Sequence, residues 1–594
     1  MTDYSLAKTD LAKEKEKSVL TTAWRRLVPL MAEEKRSVAI ALTAILVNSA
    51  VSLVVPIIIA HIVDVYIMGK DFHGVLLFSV LLAIIFIAGL VSSYIQILNM
   101  GGMGRRLLFN LRNKIFGKLQ ELPVSFFNAN KAGDLISRIN NDTDKLNQFF
   151  SQALMQFVSN IILIISTGIF IIFINFRLGL VALLPAAIAL LATQLLSPWV
   201  KRTSLRSLRS LGGMSAEIQE SINNFKVIVA FNRLDYFRNK FKESNEINYS
   251  ASVAAGVASN IFNPIYVLAS SLAQLTVLAY GIYLITLGQF TVGLLIGFLL
   301  YVNNFYNPLR QLASVWSSLQ LALAGLDRIS EVLDLESDLK TMSEKKATAG
   351  TPATSGTVLE FKDVSFQYTP GKDVLKNINF SLQKGRTYAL VGPTGGGKTT
   401  TASLMARLYD PTLGTIYLEG KDIRFYESAE RAKKIGFILQ EPFLFNGTVR
   451  ENILYGNGNY NNYTNAELTT MLEKANLTKL LARFSEGLDT KVVSSGDAIS
   501  LGQKQLIAFI RAVLRSPDIL ILDEATANID TVTEQLLEEI ISNLPKKTTK
   551  VIIAHRLNTI ENADDIFFIN AGEVTHAGSM SHAINMLLHE ERQS

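Results

Sequence analysis

The chain contains no cysteine. Disulfide frameworks and thiolate metal sites are therefore excluded, and redox chemistry says nothing about the compartment. The first 20 residues hold Lys8, Lys13, Lys15 and Lys17 among acidic partners and lack the apolar centre of a secretory signal. No cleavage is expected there, and residues 1–21 read as a flexible cytoplasmic lead. Lys and Arg exceed Asp and Glu by only 57 to 51, which gives little support to a nucleic-acid partner, and none is expected. What is present instead is grease: 49% of the residues are hydrophobic and mean hydropathy is positive. At 594 residues the chain exceeds one hydrophobic core, so at least two domains follow, the first of them membrane-like.

Crossing a bilayer takes about 20 apolar residues in a helix, because hydrocarbon offers the backbone no hydrogen bonds. Ser37–Val63, Gly74–Gly104, Phe149–Phe176 and Leu178–Val200 lack charge entirely, and the uncharged run Ile247–Leu309 is long enough for two spans around the turn "TLGQFTVG". Six spans are thus expected, near 37–63, 74–104, 149–176, 178–200, 252–285 and 289–309, within a domain covering 22–335. Basic residues crowd the connections after the second and fourth spans, including Arg105, Arg106, Arg112, Arg202, Arg206 and Arg209. Positive residues favour the cytoplasmic side, so both termini are expected inside, with Trp24, Arg25 and Arg26 opening an interfacial helix. The segments 123–146 and 221–233 mix aromatic and charged residues where long helices would reverse.

The spans contain no buried charge pair. They hold amides, hydroxyls and aromatics; for the amides at Asn48, Gln96, Gln156, Asn160, Gln194, Asn260, Asn263, Gln274, Asn303 and Asn304, helix-to-helix hydrogen bonds are the leading expectation and substrate contact the alternative. His61 and Asp64, one turn apart, are expected to form a local ion pair.

Composition changes after Arg310, and the small, polar stretch "TMSEKKATAGTPATSGT" places a linker within residues 336–356. Beyond it, over 357–594, strand-like runs alternate with helical patterns, which predicts an α/β domain. There "GPTGGGKTT" places Gly392, Pro393, Thr394, Gly395, Gly396, Gly397, Lys398, Thr399 and Thr400 between an apolar strand and a helix. This is a phosphate-binding P-loop in its proper context: backbone N–H groups hold the phosphates, Lys398 reaches the outer ones, and the Thr399 hydroxyl ligates Mg2+. "ILILDE" adds Asp523 to hold the metal and Glu524 to orient or deprotonate an attacking water.

The order of these motifs resembles the nucleotide-binding domain of an ATP-binding cassette (ABC) transporter, and the whole chain is similar to an ABC exporter half-transporter. The resemblance implies a six-helix membrane bundle with long cytoplasmic extensions, followed by a P-loop ATPase that couples ATP hydrolysis to transport. It also implies roles for residues that stand alone: Tyr368 in "FQY" as the adenine-stacking aromatic, Gln440 as a contact to magnesium and water, and His555 at the γ-phosphate. The two reversal segments resemble the family's coupling helices.

In such transporters two nucleotide domains sandwich two ATP molecules, each completed in trans by the partner's L-S-G-G-Q turn. Here that turn is Ile499, Ser500, Leu501, Gly502 and Gln503, so a leucine replaces the first glycine, adding a side chain and a more restricted backbone. "TKVVSSG" precedes it without the usual acidic and basic pair, and "ANID" stands where S-A-L-D is usual. Every departure lies on the side that faces a partner's ATP. The expectation is a heterodimer with one hydrolytic and one degenerate site; the alternative is a homodimeric flippase or exporter with an atypical turn. Cargo is expected to be drug-like, peptidic, amphipathic or lipidic, in contact with membrane lipid. The location is expected to be a bacterial cytoplasmic membrane.

Overall fold

The computed structural model describes residues 4, 6, 32, 34–337, 339, 341–342, 356–475, 477–493, 499–523, 531–553 and 562–590. The expected interfacial helix at Trp24, Arg25 and Arg26, most of the linker, residues 494–498, Glu524, the "ANID" loop and His555 lie outside them. The chain divides into two compact units, one of residues 8–119 and 133–334, the other of residues 1–7, 120–132 and 335–594.

The first unit is helical, and among its described residues are six helices long and apolar enough to cross a membrane. They lie within α1 (Lys35–Ile67), α2 (Phe72–Glu121), α4 (Ala132–Ile174), α5 (Phe176–Asn223), α7 (Leu234–Thr286) and α8 (Val292–Leu333). Two single-turn-and-a-half helices mark the reversals, α3 (Val124–Ala129) and α6 (Phe225–Ala230). Asn175 is extended and caps α5 by accepting from the Leu178 N–H, which is why α4 and α5 turn back within one residue. Glycines bring α1 and α8 into backbone contact: a Cβ at Gly293 would stand 2.2 Å from the Ala60 carbonyl oxygen. Without a hydrophobic driving force between helices in lipid, such close packing is what joins them.

Polar bonds supplement that packing. Gln274 donates to Asn303 (2.9 Å), Gln156 to Gln311 (3.0 Å) and Asn48 to Gln96 (3.4 Å), while Asn304 donates to the Ser52 carbonyl (3.0 Å). These are helix-to-helix bonds of the expected kind. The His61–Asp64 ion pair does not form. Asp64 instead accepts from the Thr291 hydroxyl (2.6 Å) and the Gly293 N–H (2.7 Å), while the His61 ring packs edge-on against Tyr66. The physical reason is that the first turn of α8 offers unpaired N–H donors and the positive end of its dipole to a carboxylate.

A balanced charge cluster joins the start of α4 to the end of α8. Arg138, almost fully buried, bonds Glu331 (2.6 Å), Asp134 (3.2 Å) and the Arg328 carbonyl. Arg328 pairs with Asp134 and Asp142, and Lys145 also pairs with Asp142. Three cations meet three acids, which is what makes their burial tolerable.

The second unit holds an antiparallel sheet ordered β2-β1-β4-β5, from β1 (Thr357–Thr369), β2 (Lys372–Gln383), β4 (Leu413–Leu418) and β5 (Lys421–Asp422). Its main sheet is ordered β12-β11-β3-β10-β9-β6, with β3 (Thr387–Val391), β6 (Ile435–Ile438), β9 (Ile519–Asp523), β10 (Thr549–Ile553), β11 (Asp565–Asn570) and β12 (Glu573–His576). All neighbours in it are parallel except β11 and β12. A small pairing of β7 (Gly447–Thr448) with β8 (Lys491–Val492) completes the strands. β3 and β9 are buried at every position, so their apolar runs carry no alternation and their functional residues wait at the ends.

Candidate nucleotide site

The P-loop leaves the end of β3 and enters α9 (Lys398–Met405). Two of its glycines are required by space as well as by conformation. Gly392 has φ +143 and a Cβ there would meet the Ile569 oxygen at 2.0 Å, because the loop folds back on β11. Gly397, with φ +117, begins α9 and would strike Leu375 at 2.6 Å. Gly395 is also left-handed, and the Gly396 N–H donates back to the Pro393 carbonyl, closing the turn through Thr394. The loop is thus wound into a cradle whose N–H groups converge with the positive end of α9.

Lys398 is only 5% exposed, and its Nζ donates to the Gly392 and Pro393 carbonyls at 2.8 and 2.9 Å. Both carbonyls belong to the loop itself, so the ammonium is held against the loop's own backbone. The Thr399 hydroxyl donates to Asp523 Oδ1 at 3.4 Å, and Asp523 is 2% exposed at the end of β9. A hydroxyl and one buried carboxylate are hard oxygen donors that suit Mg2+, which keeps waters and phosphate oxygens as its other ligands. Among the described residues there is no cluster of three His, Asp or Glu that would make a self-sufficient metal cage. Ile438, the last residue of β6, pairs with Leu522, so Gln440 leaves the sheet at the same edge as Asp523 and is exposed there.

Tyr368 sits half-exposed at the end of β1, its hydroxyl 3.1 Å from Thr400 Oγ1. Its ring is held edge-on by Phe366 (4.8 Å, 88°) and by Tyr409 (5.2 Å, 87°). Tyr409, nearly buried, in turn accepts from Asn128 Nδ2 at 2.7 Å, and burial pushes its hydroxyl pKa up, so it stays neutral. Sequence reasoning passed over Tyr409 and Asn128. Their only local signals were "RLYD" after the P-loop helix and "FNAN" in the first reversal, and 281 residues separate them.

The signature turn opens α10 (Leu501–Val513). Ser500 is its N-cap: its side chain accepts from the Gln503 N–H (3.2 Å), while Gln503 Oε1 accepts from the Ser500 N–H (3.0 Å). Gln503 also donates to the Arg483 carbonyl at 2.8 Å. Leu501 and Gly502 are the first helical residues, and Leu501 is absent from the positive-φ positions. The expected backbone restriction is therefore corrected: a helical residue needs no glycine freedom, and what distinguishes leucine is a side chain left 41% exposed at the mouth of the helix.

With this geometry in view, the comparisons with known proteins are direct. The ABC transporter transmembrane region family matches residues 38–309, and the ABC transporter family matches residues 375–527. An uncharacterized ABC transporter ATP-binding protein of Bacillus subtilis (strain 168) is 33% identical over 560 residues, covering 94% of this chain and 92% of its own. A fatty acid ABC transporter ATP-binding/permease protein of Mycobacterium bovis is 32% identical, covering 86% of this chain and 80% of its own. In three dimensions the chain is similar to a bacterial Atm1-family ABC exporter with ATP bound, at a TM-score of 0.76 and 24% identity, covering 94% and 96% of the two chains. The chain belongs to the ABC transporters, as an exporter-type half-transporter in which a six-helix membrane region and an ATP-hydrolysing translocase domain are fused.

Proposed function

We propose that this chain is the hydrolytic half of a heterodimeric exporter, moving drug-like, amphipathic or lipidic cargo out across a bacterial cytoplasmic membrane. The observation that carries the reading is the contrast within the nucleotide domain. On the P-loop side Lys398 donates to the loop's own carbonyls, Thr399 to Asp523, and the Tyr368 hydroxyl stands 3.1 Å from that of Thr400, which supports a complete set of nucleotide-binding groups. On the side that would face another chain's ATP, the first residue of α10 is an exposed leucine where the family's turn has glycine.

The geometry supports the following chemistry for this half. The P-loop amides and Lys398 bind the β- and γ-phosphates, and Tyr368 offers its ring to the adenine. Magnesium held by Thr399 and Asp523, with Gln440 at the same sheet edge, would neutralise charge on the transferring phosphoryl group. Glu524, next in sequence to Asp523, orients the attacking water, and His555 contacts the γ-phosphate; both roles rest on the motif order alone. A partner chain supplies an intact signature turn. Exposed apolar residues on α6, Phe225, Val227 and Val229, with Phe231 just after it, offer that chain a surface to cover.

Cargo chemistry is supported by the fatty-acid relative and by spans in which several amides, such as Gln274 with Asn303 and Asn48 with Gln96, bond one another across helices. The basic connections favour a cytoplasmic position for both reversals and for the ATPase domain. The test is to purify the chain alone and with its candidate partner and to measure ATPase activity and cargo uptake in inside-out vesicles. Activity confined to the pair, abolished about 100-fold or more by Glu524→Gln in this chain, supports the proposal. Full activity from the lone chain sinks the heterodimer.

A further inference from the structure

The charged parts of α5 and α7 give way to uncharged runs at neighbouring positions. On α5 the uncharged run ends at Val200 before Lys201 and Arg202; on α7 it begins at Ile247 after Glu246. A groove of about 540 Å3 lies between the two helices at this height, lined by Trp199, Arg202, Thr203, Arg206, Ser250, Ala251 and Ala254. Arg202 and Arg206 are one helical turn apart and Trp199 is one turn before them, so all three share a face. The opposite wall is small and uncharged. The helices touch just beyond it, where Ser207 Oγ and Ser252 Oγ stand 3.3 Å apart.

Among the described residues, neither Arg202 nor Arg206 has an ion pair or a hydrogen bond. Glu246, one turn from Ser250 on α7, pairs with neither of them, and the nearest ion pair on these helices, Lys240 with Glu217, lies further along. Elsewhere in this unit the arginines at 106, 112, 138 and 328 all find carboxylates. Two guanidiniums left without acids beside a half-exposed tryptophan, at a charged-to-apolar boundary, have the chemistry of a headgroup site. The forked donors match a phosphate, the indole sits at the interface, and acyl chains can continue along the uncharged face of α5.

We propose that this groove binds the phosphate of an anionic lipid headgroup, with Arg202 and Arg206 as its ligands and Trp199 as its apolar stop. Basic pockets between membrane helices on the cytoplasmic side are suited to such headgroups. The phosphate can come from a resident membrane lipid or from a phospholipid-like cargo, and the experiment separates the two.

The assembled transporter is reconstituted in phosphatidylcholine vesicles titrated with phosphatidylglycerol, and ATPase activity is followed for wild type, R202Q/R206Q and the charge-matched exposed pair K546Q/K547Q of the second unit. For a resident lipid, the phosphatidylglycerol midpoint rises roughly 25-fold in R202Q/R206Q, since each arginine near a membrane surface contributes about 1 kcal/mol, and stays put in K546Q/K547Q. Filling the groove by Ala254→Phe, which keeps both charges, gives the same rise. For a cargo headgroup, a short-chain phosphatidic acid added at fixed phosphatidylglycerol stimulates ATPase with a KM that rises in R202Q/R206Q, while the vesicle midpoint does not move. An unchanged midpoint together with an unchanged KM overturns the proposal. So does an equal shift in the control pair.

Discussion

Tyr409 holds Tyr368, the ring proposed to face the base, from a direction no motif marks, and replacing it tests that proposal by separating nucleotide binding from chemistry. Tyr409→Leu keeps most of the apolar bulk and removes the aromatic edge that meets the Tyr368 ring at 5.2 Å and 87°. Such pairs contribute about 0.5–1.5 kcal/mol beyond their buried area, which converts to roughly a 2- to 12-fold weaker hold on Tyr368. Phe366 and Thr400 still support Tyr368, so the ring is loosened rather than lost. The KM for ATP should rise within that range while kcat stays near wild type, because the phosphates, Lys398 and Asp523 are untouched. Tyr409→Phe keeps the edge and removes only the bond from Asn128. Its KM should stay within about twofold, the effect of one neutral hydrogen bond at the low end of its net worth. ATPase kinetics on the assembled transporter, run with ATP and with ribose triphosphate, decide the matter. A base-independent rise, equal for both triphosphates, or a fall in kcat at constant KM refutes the reasoning.

Three further outcomes follow from the structure. Arg138→Met removes a buried guanidinium from Glu331, Asp134 and the Arg328 carbonyl while Asp134 keeps Arg328, so it should cost about 1–2 kcal/mol and lower the melting temperature in detergent by a few degrees, whereas Arg238→Ala, from a pair exposed on both sides, should change nothing measurable. Burial lowers the pKa of Lys550 from its ordinary 10.5, so the folded state disfavours the charged ammonium at neutral pH, and this penalty fades as pH rises through the lowered value. Lys550→Met should therefore raise the melting temperature at neutral pH, by a margin that shrinks in alkaline buffer; a margin independent of pH would count against the burial argument. Leu501→Gly clears the mouth of α10 at a helix cost of about 0.5–1 kcal/mol. ATPase activity of the partner chain's site should rise; no change would show that bulk at this turn is not what slows it.

Much of this protein was legible in one dimension because its strongest signals are local. Charge-free runs of helical length announce six spans, since hydrocarbon tolerates nothing else, and a glycine loop between a buried strand and a helix announces phosphate binding. Even Leu501 could be found by eye, although its helical backbone, and hence the reason it matters, could not. The rest depended on partners far apart in the chain. Whether Asp64 would pair with His61 or with the first turn of α8 was decided by a helix 227 residues away, whose N–H donors outbid the histidine. Arg138 and Glu331, like Asn128 and Tyr409, carry no local sign of one another until the fold brings each pair into hydrogen-bond contact. Composition and spacing determined that the chain enters a membrane and binds a nucleotide, because burial in lipid and phosphate contact each impose a local pattern. Only the tertiary structure decided which charges are neutralised and which, at Arg202 and Arg206, remain open, because charge compensation depends on distance in space and not along the chain.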